Sequence, residues 1–180
     1  MKKVLVTLAP GFEEIETITV VDILRRAGAR VTIASTVPGI IEGSRSIKIA
    51  PDDMLETIMD KEFDLIFLPG GQPGTENLKN DLRVVKLLQK MQDQEKYISA
   101  ICAAPTILQK AGIVKNRSIT CHPSFKTQFD TYVDDRVVID GKLVTSQSPG
   151  TAMELALKLV EILFGVGRMK KVNSGVIARI

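Results

Sequence analysis

Short apolar runs separated by amphipathic stretches dominate the hydrophobic pattern of this chain. Four such runs, at residues 4–8, 31–34, 65–68 and 98–101, are each bounded by Gly, Pro or charged residues. Continuous apolar runs of this length are typical of parallel strands that are covered on both faces. The pattern therefore predicts four parallel strands at the centre of the fold.

Helical periodicity fills the spaces between these runs. The segment 16–27 carries one apolar face and is followed by Gly28, a residue that commonly follows the end of a helix. A second helix is predicted to start after a cap at Asn80 or Asp81, and a third near residue 151. We assign no structure to the basic tail that follows this third helix.

The region between these last two helices has a different pattern. Three short strands are predicted there, at residues 118–121, 137–139 and 143–145. The last two are joined by Asp140-Gly141, and Asp-Gly between apolar runs indicates a hairpin. Taken together, the alternation of strands and helices predicts a single α/β domain over residues 1–180, with a largely parallel sheet.

Composition narrows the class of protein. The 180 residues are 44% hydrophobic and 25% charged with a net charge of +3, values typical of a globular domain. Basic residues are interspersed with acidic ones, and with no Trp and two Tyr there is little material for nucleic-acid stacking. The first apolar run soon meets Glu13, Glu14 and Glu16, which excludes a signal peptide or a membrane span there.

The cysteine and histidine content argues against a structural metal or a disulfide framework. The chain has two cysteines, Cys102 and Cys121, and one histidine, His122, with no Cys-x-x-Cys pair. We therefore expect no metal and no cofactor, and a reducing cytoplasm as the compartment. The turns after the predicted strands also lack the glycine fingerprints of nucleotide sites.

The turn after the fourth predicted strand carries the most informative chemistry. Cys102 lies two residues after Ala100 and two before Ala104, the spacing of a nucleophile elbow, in which small neighbours avoid clashes between strand and helix. Pro105 suits the first turn of a helix, whose dipole and free amides favour a thiolate. The alternative is a small buried hydrophobic residue, and this spacing alone leaves both interpretations open.

Five motifs in order make the chain resemble the ThiJ/PfpI superfamily, and most of all its parkinsonism-associated deglycase branch. They lie between residues 2 and 165. Their residues are Leu8-Ala9-Pro10-Gly11-Phe12-Glu13-Glu14-Ile15-Glu16, Leu68-Pro69-Gly70-Gly71, Ala100-Ile101-Cys102-Ala103-Ala104-Pro105, Cys121-His122-Pro123 and Ser148-Pro149-Gly150-Thr151.

The resemblance implies a fold and a set of site residues. The fold would be a flavodoxin-like three-layer sandwich with helices on both faces of a mostly parallel sheet, usually found as a homodimer. The elbow thiol of Cys102 would accept a hydrogen bond from a protonated Glu16, and His122 would lie at the mouth of the pocket. Gly70, Gly71 and Ala103 would bind an oxyanion or substrate, and Arg45 would lie near the pocket.

Other residues are expected to have ordinary roles or to depart from the family pattern. Glu13 and Glu14 suit solvated carboxylates in the first turn of a helix, and Cys121 suits a buried strand residue. Ala103 follows the elbow cysteine where peptidase-like members have histidine, so peptidase activity is not expected. His122 and Arg45 could equally be surface residues, and the glycine pair could simply form a turn.

Two classes of function remain. The first is a cofactor-independent glyoxalase or deglycase, in which Cys102 attacks methylglyoxal, glyoxal or their early adducts on amines and thiols. The second is a non-catalytic redox sensor or chaperone that responds to oxidation of Cys102. Neither class requires a nucleic-acid or membrane partner.

Overall fold

A seven-stranded sheet forms the centre of the molecule. The structure is a computed structural model that describes residues 1–178, so the last two residues of the predicted 1–180 domain lie outside the described range. The strands in chain order are β1 (Lys3–Leu8), β2 (Arg30–Ser35), β3 (Ile41–Glu42), β4 (Lys48–Ile49), β5 (Asp53–Met54), β6 (Leu65–Leu68), β7 (Tyr97–Ile101), β8 (Val137–Asp140) and β9 (Leu143–Ser146).

The order of strands in the sheet is β5-β2-β1-β6-β7-β9-β8, and β3 pairs with β4 in a separate hairpin. Among the described pairings of the large sheet, β8 with β9 is antiparallel and the rest are parallel. The predicted parallel core and the hairpin at Asp140-Gly141 are therefore confirmed. Strands are added towards one edge of the sheet from β1 to β5 and towards the other edge from β6 onwards, so the strand order switches between β1 and β6. In parallel sheets, ligands bind beyond the carboxyl ends of the strands at such a switch point.

Helices cover both faces of this sheet. They are α1 (Glu14–Arg26), α2 (Leu55–Ile58), α3 (Gly74–Asn80), α4 (Leu82–Asp93), α5 (Pro105–Lys110), α6 (Ala152–Phe164) and α7 (Val166–Val176), with 3₁₀ turns at Pro123–Gln128 and Pro149–Thr151. Of the two predicted caps for α4, Asp81 is the one used, since its side chain accepts a hydrogen bond from the Arg83 amide. The basic tail forms α7.

Alternation along β1 shows how the three layers arise. Val4, Val6 and Leu8 belong to one hydrophobic cluster, which includes residues of α1 and α6. Leu5 belongs to the other cluster, which includes residues of α4 and α5. Because successive side chains of a strand point to opposite faces, a strand that is buried on both faces from Val4 to Leu8 requires both layers. The predicted flavodoxin-like sandwich is confirmed.

One predicted strand, at residues 118–121, was wrong. Ile119 forms an isolated bridge with Tyr132, and the Thr120 amide donates to the Thr145 side-chain oxygen instead of to a neighbouring strand. Ile119, Thr120 and Cys121 are buried while Ser118 is exposed, and burial of three residues does not distinguish a strand from an extended loop. No helix within residues 1–178 has the length and apolarity needed to cross a membrane.

Candidate active site

Cys102 lies at a sharp turn directly after β7. Its backbone has φ +63°, a left-handed conformation that costs a non-glycine residue about 1–3 kcal/mol. Two hydrogen bonds hold this turn: the Cys102 amide donates to the Ser146 carbonyl at 3.0 Å, and the His122 amide donates to the Cys102 carbonyl at 2.8 Å. Hydrogen bonds to two neighbouring segments therefore hold the strained backbone of the predicted elbow in place.

Glu16 reaches the elbow from the first turn of α1. Its side chain is fully buried, and its Oε2 accepts a hydrogen bond from the Gly70 amide at 2.7 Å. Its Oε1 has no nitrogen or oxygen hydrogen-bond partner among the described residues. Burial raises the pKa of Glu16 to about 8, against the opposing effect of the Gly70 amide, so the carboxyl is mainly protonated at pH 7.

The carboxyl of Glu16 and the thiol of Cys102 act on each other as a pair. Burial and the charge of an ionised Glu16 both raise the pKa of the Cys102 thiol, whereas the Ala103 amide lowers it. The expectation that the helix N-terminus lowers this pKa therefore does not hold, because burial outweighs the amide. Protonation of Glu16 removes the opposing charge and leaves a donor beside the sulfur.

Gly70 packs against both of these side chains. A Cβ at Gly70 would lie 2.8 Å from the Cys102 Cβ and 2.9 Å from Glu16 Oε2, so this position has room only for hydrogen. Its N–H is already bonded to Glu16, which differs from the expected role of an oxyanion donor. Among the described residues the Gly71 N–H has no acceptor, which leaves Gly71 and Ala103 as the available amides.

His122 is brought to the elbow by its backbone, while its ring is turned towards Ser124. The ring Nδ1 lies 2.7 Å from the Ser124 hydroxyl and accepts from the Ser124 amide at 3.2 Å. An accepting Nδ1 leaves the proton of a neutral ring on Nε2. The ring is half-buried and meets Phe125 edge-on, so it lies beside the elbow without a hydrogen bond to the thiol.

Arg45 lies on the exposed turn between β3 and β4, and Glu14 holds that turn in place. The Glu14 carboxylate is buried and accepts hydrogen bonds from the Arg45 amide at 2.6 Å, the Ile47 amide at 3.3 Å and the Ser44 hydroxyl at 3.2 Å. Although burial opposes ionisation, these bonds hold the pKa of Glu14 below its usual value. The prediction of a solvated Glu14 was therefore wrong. Its partners lie about 30 residues further along the chain, so no local signal marks it.

Glu13 and Cys121 complete the surroundings. Glu13 caps α1, since its Oε2 accepts from the Glu16 amide at 2.7 Å. Cys121 is fully buried as expected, but in a loop, and burial raises the pKa of its thiol to about 11. Within residues 1–178 no group of three or more His, Cys, Asp or Glu side chains is placed to hold a metal ion.

Comparison with known proteins places this geometry in a family. The sequence model of the DJ-1/PfpI family matches residues 2–162 of this chain. The chain belongs to the DJ-1/PfpI family. This confirms the resemblance identified from the five motifs.

Individual DJ-1 proteins are similar over nearly the whole chain. Protein dj-1beta of Drosophila melanogaster is 42% identical over 98% of this chain and 97% of its own, and its crystal structure superposes with a TM-score of 0.97 over 99% of both chains. The glutathione-independent glyoxalase DJR-1.2 of Caenorhabditis elegans is 40% identical over 91% of this chain and 90% of its own. An oxidized DJ-1 of Toxoplasma gondii is 35% identical, covers the whole of both chains and has a TM-score of 0.97.

Proposed function

We propose that this DJ-1/PfpI protein is a glyoxalase that uses Cys102 to convert methylglyoxal and glyoxal to hydroxy acids without glutathione, metal or cofactor. The observation that carries the proposal is the pairing of Cys102, at a strained elbow, with a buried Glu16 whose Oε1 has no nitrogen or oxygen partner among the described residues. A related protein named as a glutathione-independent glyoxalase, 40% identical to this chain, supports the same reaction class.

The reaction begins when the Cys102 thiolate adds to the aldehyde carbon. This C–S bond turns the carbonyl oxygen into an oxyanion, which the Ala103 and Gly71 amides are available to bind. Glu16 then gives its Oε1 proton to that oxygen and becomes a base. The product of this step is a hemithioacetal.

The second half moves a proton within the substrate. The base, Glu16 or His122, removes the proton from the former aldehyde carbon and returns one to the neighbouring ketone carbon, which gives a thioester of the 2-hydroxy acid. Water hydrolyses the thioester and restores the thiol. The sum is methylglyoxal plus water to lactate. One carbon is oxidised as its neighbour is reduced, so no external redox partner is required.

The same attack extends to early adducts of these aldehydes on amines and thiols. Such adducts release the aldehyde reversibly, so a glyoxalase that consumes it also reverses the modification. We propose this deglycation as a role in protection from carbonyl and oxidative stress. Both cysteines are free thiols, which suits a reducing cytoplasm. Peptidase chemistry is not proposed, because Ala103 follows Cys102.

Turnover of methylglyoxal by reduced, metal-free protein tests the proposal. We expect lactate without added glutathione, and a loss of at least about a thousandfold in Cys102→Ser, since removal of a nucleophile commonly costs that much. Cys121→Ser provides the matched control and should keep turnover within about twofold. Unchanged turnover in Cys102→Ser would reject the assignment.

The pair also supports the second candidate, a redox sensor that acts through Cys102. Glu16 Oε1, which has no nitrogen or oxygen partner among residues 1–178, can bond an oxygen added to the sulfur when it is protonated, whereas Cys121 is fully buried and burial is the cause of its raised pKa. Wild-type protein that senses peroxide but produces no lactate would favour this candidate over the enzyme.

We further propose a homodimer, formed in part by α1. Ile15 and Ile18 on this helix are 57% and 46% exposed, although four other apolar residues of α1 are buried. Light scattering at micromolar concentration should give about twice the chain mass of 19.7 kDa. Ile15→Lys combined with Ile18→Lys should shift the mass to the monomer, and a monomeric wild type would contradict the proposal.

A further inference from the structure

A cavity lies at the end of the sheet opposite to the elbow. Its volume is about 590 Å³, and Ile98 near the start of β7 and Leu143 at the start of β9 are part of its lining. Cys102 follows the other end of β7, so the two places are separated by the length of that strand, about 17 Å for five residues. The cavity is therefore distinct from the candidate active site.

Four cationic side chains from three separate loops line this cavity. They are Lys96, Lys115, Arg117 and Lys142. Although basic residues are dispersed along the sequence, the fold gathers these four in one concave place. An excess of one sign of charge around a cleft concentrates ligands of the opposite sign.

These four side chains form no direct ion pair within the described residues. Among residues 1–178, none of the four side chains has an ion-pair or hydrogen-bond partner, and Lys142 instead lies 4.1 Å from the centre of the Tyr97 ring. Glu62, whose pKa Lys96 helps to lower, is already paired with Lys90 at 3.4 Å. The cationic groups therefore remain available to a ligand.

The carboxylates of the cavity do not balance this charge. Its lining contains two of them, Glu95 and Asp140, which leaves an excess of two positive charges. The Asp140 carboxylate also accepts the Ser118 amide at 2.8 Å and so is directed towards the protein backbone. A ligand that neutralises the cavity must carry more than one negative charge.

We propose that this cavity binds a small polyanion through a chain of phosphate groups, such as inorganic triphosphate or the triphosphate of a nucleotide. The volume lies within the range of about 300–1,000 Å³ that is usual for small-molecule sites. Three ammonium groups and one guanidinium suit phosphate oxygens distributed along a chain. No aromatic side chain lines the cavity within the described residues, so a base has no ring to stack on and the phosphates must supply the affinity.

Calorimetric titration with inorganic triphosphate at low and moderate salt tests the proposal. We expect binding that weakens as salt rises, and a loss of about tenfold or more in Lys115→Ala/Arg117→Ala, because each variant removes charge-assisted hydrogen bonds. Lys96→Ala/Lys142→Ala, which removes the other two cations, should give a similar loss. Adenosine triphosphate should bind within a fewfold of triphosphate, since the base adds little.

Lys170→Ala/Lys171→Ala in α7 is the matched control, because it removes two exposed positive charges elsewhere. It should bind triphosphate as the wild type does, and all three variants should keep methylglyoxal turnover. Absence of triphosphate binding would overturn the proposal, as would equal weakening in the α7 control. Much tighter binding of a single-stranded RNA would assign the cavity to nucleic acid instead.

Discussion

The two cysteines of this protein occupy places that differ in what surrounds the sulfur. Cys121 is fully buried among apolar residues, and burial is the one cause that raises the pKa of its thiol among the described residues. Cys102 is also largely withdrawn from solvent, but it has a strained backbone, the Ala103 amide and the Glu16 carboxyl next to it. Burial alone leaves the Cys121 thiol protonated, whereas on the proposed function Cys102 reacts because Glu16 beside it can exchange its proton.

The largest expected effect concerns that exchange. Glu16→Gln keeps an oxygen that can accept the Gly70 amide but removes the transferable proton, so methylglyoxal turnover should fall about a hundredfold. In the wild type, turnover should rise as the pH passes about 8, where the pair loses its first proton, and the variant should lack this transition. Steady-state rates from pH 6 to 9 provide the measurement.

His122→Gln is the comparison for this experiment. The His122 ring is hydrogen-bonded to Ser124 and not to the thiol, so we expect methylglyoxal turnover to fall only a fewfold. A loss equal to that of Glu16→Gln would move the proton-transfer role to the ring.

The next effect concerns stability: the equilibrium constant between folded and unfolded protein should change by at most about tenfold per pH unit. The pKa of Glu16 is about 8 in the folded protein against 4.5 for an exposed carboxyl, so between these values the folded state holds the extra proton. Stability from this group is full below pH 4.5 and is lost as the pH rises through 8. The slope is at most about 1.4 kcal/mol per pH unit.

Urea unfolding at pH 5, 6 and 7 measures this slope. Glu16→Gln should lack the Glu16 contribution and so fall less steeply than the wild type. Cys121→Ala should keep the wild-type slope, because the Cys121 thiol is neutral throughout this range. A slope that is the same in wild type and Glu16→Gln would show that the carboxyl does not take up a proton on folding.

The smallest expected effect is on the product of oxidation. With equal amounts of peroxide, Cys102 should oxidise before Cys121 and accumulate as sulfinate, since protonated Glu16 can donate to the new oxygen. Glu16→Asp lengthens that bond and should lower the sulfinate yield about threefold. Peptide mass spectrometry distinguishes the two sites. Faster oxidation of Cys121 than of Cys102 would contradict the assignment of Cys102 as the reactive cysteine.

The sequence allowed prediction of features with a local cause. Small residues on either side of Cys102 are required by the turn itself, and continuous apolar runs follow from a sheet that is covered on both faces. The Asp140-Gly141 hairpin is likewise local, and Gly141 has the positive φ of +59° that such a turn requires.

Features with distant partners could not be predicted in this way. Glu14 is buried because the amides of Arg45 and Ile47 meet its carboxylate, and nothing near Glu14 indicates this. The strands β3 and β4 have two residues each, too few to show periodicity. Gly70 has a glycine pair as its only local signal, and its contact with the side chains of Glu16 and Cys102 exists only in the folded chain.

The contact of Gly70 with both Glu16 and Cys102 makes the surroundings of the thiol a consequence of complete folding. The carboxyl comes from α1, the glycine follows β6, the sulfur follows β7, and the Ser146 carbonyl that holds the turn ends β9, the last of the described strands along the chain. A nascent chain released before β9 has paired therefore lacks the Ser146 contact that holds the Cys102 turn. On the proposed function, electrophiles and oxidants would meet the assembled Glu16–Cys102 pair only on molecules that have folded through β9.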